Sequence, residues 1–123
     1  MSGTNLLCDT NILLYLLAGD KTVAGLLNMK KIFISCITEI ELLTFQKLSP
    51  REKKIIGELL SDCTIIGLNE EIKKKSIDIR LNNKIRIPDA IIAATAEYLR
   101  IPIISADKQF KQVKEINLIY YQV

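Results

Sequence analysis

The chain has 123 residues, 49% hydrophobic and 25% charged, which excludes a disordered segment and fits one domain over residues 1–123 rather than two with separate cores. It contains no histidine, so serine triads, Cys–His nucleophiles and histidine-bearing zinc hydrolases are excluded, and carboxylates, lysines or metals must carry any catalysis. The net charge of +3, from 17 basic and 14 acidic side chains, is by itself a weak pointer to an anionic partner.

Short apolar runs alternate with longer helical patterns. Asn5 to Cys8 (NLLC) reads as a buried parallel strand ending at Asp9, and Thr10 to Ala18 as an apolar helix stopped near Gly19. A second helical piece spans Lys21 to Asn28, followed by a strand at Ile32 to Ser35. Thr38 to Leu48 is helical, Ser49-Pro50 interrupts, and Pro50 to Ser61 resumes with proline in the first turn. Thr64 to Gly67 is a third strand, and Asn69 to Leu81 a basic amphipathic helix that Asn82-Asn83 ends. Pro88 opens an alanine-rich helix to about Leu99, and Ile101 to Ser105 is the fourth strand. Asp107 to Phe110 makes one helical turn before a fifth strand at Asn117 to Tyr121. This alternation predicts a three-layer α/β/α fold with a mostly parallel, five-stranded open sheet. Ligands of such sheets bind beyond the carboxyl ends of the strands, where strand order reverses.

Cys8, Cys36 and Cys63 have neither zinc nor redox spacing and read as small apolar residues in a reducing compartment. The first residues carry no basic leader, and no stretch approaches the roughly 20 apolar residues of a membrane span. A cytoplasmic protein without membrane attachment is expected.

Four acids stand out. Asp9 and Asp107 follow predicted strands, and Asp89 opens the alanine-rich helix; each alone also suits a helix cap or first turn. Glu41 has no capping role. On a helical wheel with Ile37 at zero, Ile40, Thr44, Leu48 and Phe45 form an apolar arc with Glu41 near its middle, at roughly 40°, and Glu39 opposite. A glutamate in an apolar face neutralises or finds a cation. If all four acids converge at one sheet edge, divalent ions must offset their repulsion, and oxygen-only ligands select Mg²⁺ or Mn²⁺. The chemistry implied is metal-dependent phosphodiester hydrolysis with Asp9, Glu41, Asp89 and Asp107 as catalytic and metal-binding groups.

The segments CDTNILLYLL, ISCITEIELL, IPDAIIAATA and ISADKQF, in this order and spacing, resemble a PIN-domain ribonuclease, and most of all the VapC toxins of bacterial toxin–antitoxin pairs. The resemblance covers nearly the whole chain. It matches Asp9, followed by Thr10-Asn11, to the family's first acid, and Glu41 to the glutamate after a Ser- and Thr-bearing second strand, here Ser35 and Thr38. It matches Asp89 and Asp107 to the remaining acids and Ser105 to a hydroxyl residue that helps hold the site together. It implies RNA as substrate, a small antitoxin as partner with its C-terminal segment in the acidic groove, and a homodimer. Two positions depart from the pattern: Thr44 and Phe45 stand where a glycine is frequent, and Gln109 where many relatives carry another acid or a histidine.

Lys73, Lys74, Lys75, Arg80, Lys84 and Arg86 make the approach to Asp89 basic. The three lysines read as a solvated helix face, whereas Lys84 and Arg86 are the candidates for contacts to an RNA backbone. Two other readings stand beside the nuclease: a catalytically silent PIN-fold binding module, and a Mg²⁺-binding phosphoacceptor domain. The latter lacks its acceptor aspartate, since Leu68-Asn69 follows the third strand, and its lysine, since the fifth runs into Tyr120-Tyr121-Gln122.

Overall fold

Five short strands rich in isoleucine and leucine, β1 (Asn5–Cys8), β2 (Lys31–Ser35), β3 (Thr64–Ile66), β4 (Ile103–Ser105) and β5 (Leu118–Tyr120), form one sheet in the computed structural model. The structure describes residues 4–122; Met1 to Gly3, part of the stretch read as carrying no leader, and Val123 lie outside. The strand order is β3-β2-β1-β4-β5, and every neighbouring pair is parallel. The chain therefore builds outward from β1 in one direction and then crosses to β4 and β5 on the other side. The reversal lies between β1 and β4, where Leu7 pairs with Ile103 and Cys8 with Ile104.

Helices α1 (Thr10–Leu17), α2 (Lys21–Leu27), α3 (Cys36–Thr44), α4 (Pro50–Ser61), α5 (Glu70–Asn82) and α6 (Ile87–Leu99) connect the strands, with a 3-10 helix at Lys108–Gln112. Their starts follow from local chemistry. Ser49 and Glu52 form a reciprocal capping box with Pro50 in the first turn of α4, and the Asn69 side chain accepts from Ile72 N to open α5.

The pleat of the strands sorts the core into two layers. Leu7 and Ile103 face α5 and α6, packing with Ile72, Ile79, Ile92 and Phe110. Leu6, Cys8, Ile34 and Ile104 face the opposite way, toward Ile12 and Leu13 of α1, Leu42 of α3 and Ile56 of α4. Alanines 90, 93, 94 and 96 let α6 pack closely, and they are buried along with Asp89. No helix among the described residues is long and apolar enough to cross a membrane.

One segment departs from its sequence reading. Helix α3 begins at Cys36, capped by the Ser35 hydroxyl, and ends at Thr44 instead of reaching Leu48. At its end Thr44 Oγ1 donates to Ile40 O at 2.6 Å. The expected apolar arc is not buried either: Ile40 is 56% and Phe45 47% exposed, and the helix is anchored through Thr38 and Leu42. Residues Phe45 to Ser49 leave the helical path, which returns Leu48 to the core. Elsewhere the boundaries shift by a residue or two, as with β4, which begins at Ile103 after Pro102.

Candidate active site

The carboxyl ends of β1 and β4 place two carboxylates side by side in the fold. Asp9 directly follows β1 and caps α1, its Oδ1 accepting from Thr10 N at 2.8 Å. Asp107 stands two residues beyond β4 and caps the 3-10 helix, its Oδ1 accepting from Gln109 N at 3.0 Å. Asp89 enters from the first turn of α6 and Glu41 from α3. All four acids, with Thr10, Asn11 and Arg86, line one cleft of about 350 Å³ at the reversal point of the sheet. A cap and a site ligand are thus not alternatives for Asp9 and Asp107, because the strand end that starts a helix is also the mouth of the crevice.

Hydroxyl and amide groups hold the carboxylates in place. Ser105, fully buried, donates to Asp9 Oδ2 at 2.6 Å and accepts from Asp107 N at 3.0 Å, joining the two strand ends. Thr10 Oγ1 donates to Glu41 Oε1 and lies 3.1 Å from Thr38 Oγ1, linking α1 to α3. Asn11 Oδ1 accepts from Ala106 N at 3.5 Å, tying the start of α1 to the loop after β4. The Gln109 amide donates to Asp107 Oδ2 at 2.7 Å and to Asp89 Oδ2 at 3.0 Å. Arg86 Nε donates to the same Asp89 oxygen at 3.2 Å.

Asp9 is 5% exposed, and burial pushes its carboxyl up to about 6; its bonds from Ser105 and Thr10 N oppose the rise, and the charges of Asp89 and Asp107 add to it. Among the described residues no three acidic or cysteine side chains stand as a ready ligand set, and each of the four carboxylates accepts from a protein donor. The donors nevertheless fit a hard divalent ion: every one is oxygen, and the crowding of a buried Asp9 by two like charges is what a cation would relieve.

The structure also revises the path to Glu41. Its wheel position does not lie at the centre of a buried arc; Glu41 and Glu39 are both half-buried, flanking Thr38 and Leu42 on opposite sides. Arg86 lines the cleft but is paired with Asp89, whereas Lys84 lies beside it in a hollow of about 380 Å³ with Arg80, Asn83, Ile85, Arg86 and Gln109. Of the three lysines on α5, Lys73 pairs with Glu70 and Lys75 with Glu97. Leu14, Thr44 and Phe45 complete the cleft wall; Thr44 and Phe45 are the positions that depart from the family pattern, and nothing in the sequence marks Leu14. The bridging role of Gln109 is likewise absent from the sequence reading, where the departure at that position was its only signal.

A PIN domain family model matches residues 6–116. No curated protein matches the chain. Among solved structures, a toxin–antitoxin complex from Klebsiella pneumoniae contains a chain 30% identical, with a TM-score of 0.84 and coverage of 96% of this chain and 99% of that one. A chain of VapBC2 from Rickettsia felis, bound to a promoter DNA fragment, is 19% identical with a TM-score of 0.85 and coverage of 96% and 99%. A chain of FitAcB from Neisseria gonorrhoeae is 21% identical with a TM-score of 0.77 and coverage of 93% and 96%. The last two similarities bear on the fold alone.

Proposed function

The chain belongs to the PIN domain family, and from that premise we propose that it is a Mg²⁺- or Mn²⁺-dependent endoribonuclease, the toxin of a toxin–antitoxin pair, working in the cytoplasm as a single PIN-like domain. The observation that carries this reading is the gathering of Asp9, Glu41, Asp89 and Asp107 in one cleft at the sheet's reversal point. These four side chains would hold the ion. When bound, a divalent cation supplies the positive charge that acidifies an attacking water and offsets charge building on a phosphate.

The chain's own residues prepare that chemistry. Ser105 and Thr10 N fix the orientation of Asp9, so its carboxylate is aimed before any ligand arrives. Thr10 fixes Glu41 in the same way across the cleft. Lys84 and Arg86, with Arg80 beside them, present a basic wall next to the acids that suits the phosphates flanking a scissile bond. Contacts of this kind give affinity without sequence information, so RNA choice rests on shape at the cleft mouth.

The partner in this reading is a small antitoxin, a reading supported by a 30% identical chain of a toxin–antitoxin complex from Klebsiella pneumoniae, and the chain is read as a homodimer. Exposed Phe45 on the cleft wall beside the acids offers an apolar contact for a segment of such a partner. The test is cleavage of single-stranded and looped RNA by the purified protein. Cleavage with Mg²⁺ or Mn²⁺ that stops in EDTA and is lost in Asp9→Asn supports the reading; cleavage undiminished in excess EDTA overturns it.

A further inference from the structure

Gln109 does more than occupy the place of an acid. Its backbone lies in the 3-10 helix after β4, and its side chain shares a hollow with Arg80, Lys84 and Arg86. From there Nε2 reaches two carboxylates that no other contact joins, Asp107 Oδ2 at 2.7 Å and Asp89 Oδ2 at 3.0 Å. An amide nitrogen has two protons, and both are used. The orientation follows from electrostatics: turned over, the amide would set its carbonyl oxygen against two carboxylate oxygens. Gln109 N adds a bond to Asp107 Oδ1, so both oxygens of Asp107 are held by this one residue.

A glutamate at the same position could donate nothing, and it would bring a third negative charge to a pair that already repel each other. The amide therefore does, without charge, what a cation between Asp89 and Asp107 would do. We propose that Gln109 is a positioning residue that stands in for a second metal ion, clamping Asp107 to Asp89 and limiting the cleft to one divalent cation. This rests on the metal-dependent reading of the site and specifies its capacity. Activity then depends on one ion and on an intact clamp, and a carboxylate at position 109 converts the clamp into a second ion site.

The test is calorimetric titration of the full chain with Mn²⁺, together with melting in EDTA and in Mn²⁺. The natural chain is expected to bind one Mn²⁺ and Gln109→Glu two. Gln109→Glu should also melt lower than the natural chain in EDTA and gain more from Mn²⁺. Gln109→Ala, which removes the clamp without adding charge, should lower the melting temperature in EDTA by about 5 °C and enlarge the gain on adding Mn²⁺. A purely structural glutamine would lower melting equally with and without the ion. Two Mn²⁺ bound to the natural chain, or one bound to Gln109→Glu with an unaltered Mn²⁺ gain, would overturn the role of Gln109 alone. No Mn²⁺ bound to the natural chain would overturn the metal-dependent reading on which it rests.

Discussion

Helices α6 and α3 each carry one acid to the cleft, and they do it in opposite ways. In α6, eight successive residues from Asp89 to Ala96 are buried, and alanines let the helix lie close to its neighbours. Asp89 is therefore fixed by the packing of a whole helix. In α3 only Thr38 and Leu42 are buried, while Ile40 and Leu43 face outward. Glu41 is fixed instead by one hydroxyl, that of Thr10. One wall of the cleft is set by the core, and the other by a polar bridge beneath an apolar surface. Rigidity at the cleft thus comes from two sources, and they fail differently.

The largest effect separates the two walls from their surroundings. Asp89→Asn and Glu41→Gln should each reduce RNA cleavage by orders of magnitude, while Glu39→Gln, on the far flank of α3, leaves it nearly intact. Cleavage assays on the three proteins at equal concentration check this; a damaging Glu39→Gln would mean that α3 presents its other flank to the site. If Thr10 is the only brace on Glu41, Thr10→Val should depress metal affinity through Glu41 with little loss from the Asp89 side, which a Thr10→Val, Glu41→Gln double-mutant cycle in Mn²⁺ binding measures.

Packing sharpens the contrast further. Ala93→Leu forces extra methylenes into the closed face of α6 and should cost about 1–3 kcal/mol in urea unfolding. A substitution of similar size on the open face of α3, Ile40→Ser, should stay within about 0.5 kcal/mol.

The strand end between the two walls adds a pH dependence. Asp9 keeps its proton up to about pH 6 in the folded chain but loses it near 3.8 when unfolded. Between those values the native state binds more protons than the unfolded one, so this group's contribution is full below about pH 3.8 and is lost as pH rises through 6. Metal-free protein should lose about 1–1.5 kcal/mol of stability from this group between pH 5 and 7.5. Melting in EDTA at the two pH values checks it. Asp9→Asn should remove that component, and Mn²⁺ should suppress it by holding the carboxylate ionised.

The sequence alone determined the order of strands and helices along the chain, a mostly parallel sheet, and four acids that the fold brings to one cleft. Isoleucine-rich runs, the Ser49-Pro50 start and the alanine pattern of α6 are local signals whose physics acts within a few residues. The end of α3 was not legible, since the return of Leu48 to the core depends on where α4 and the sheet lie. The wheel singled out Glu41, but not for the reason that holds: the buried face is centred on Thr38 and Leu42, and only the position of α1 decides which flank meets Thr10. Gln109 shows the same division most sharply. Its identity is visible in the chain, but its two bonds join Asp107, two residues away, to Asp89, twenty residues away, and only the crossing from α6 to β4 brings those carboxylates within reach of one amide. Local propensity acts through neighbours in sequence, whereas charge and hydrogen bonding act through neighbours in space, and the sheet's reversal point is where the two sets differ most.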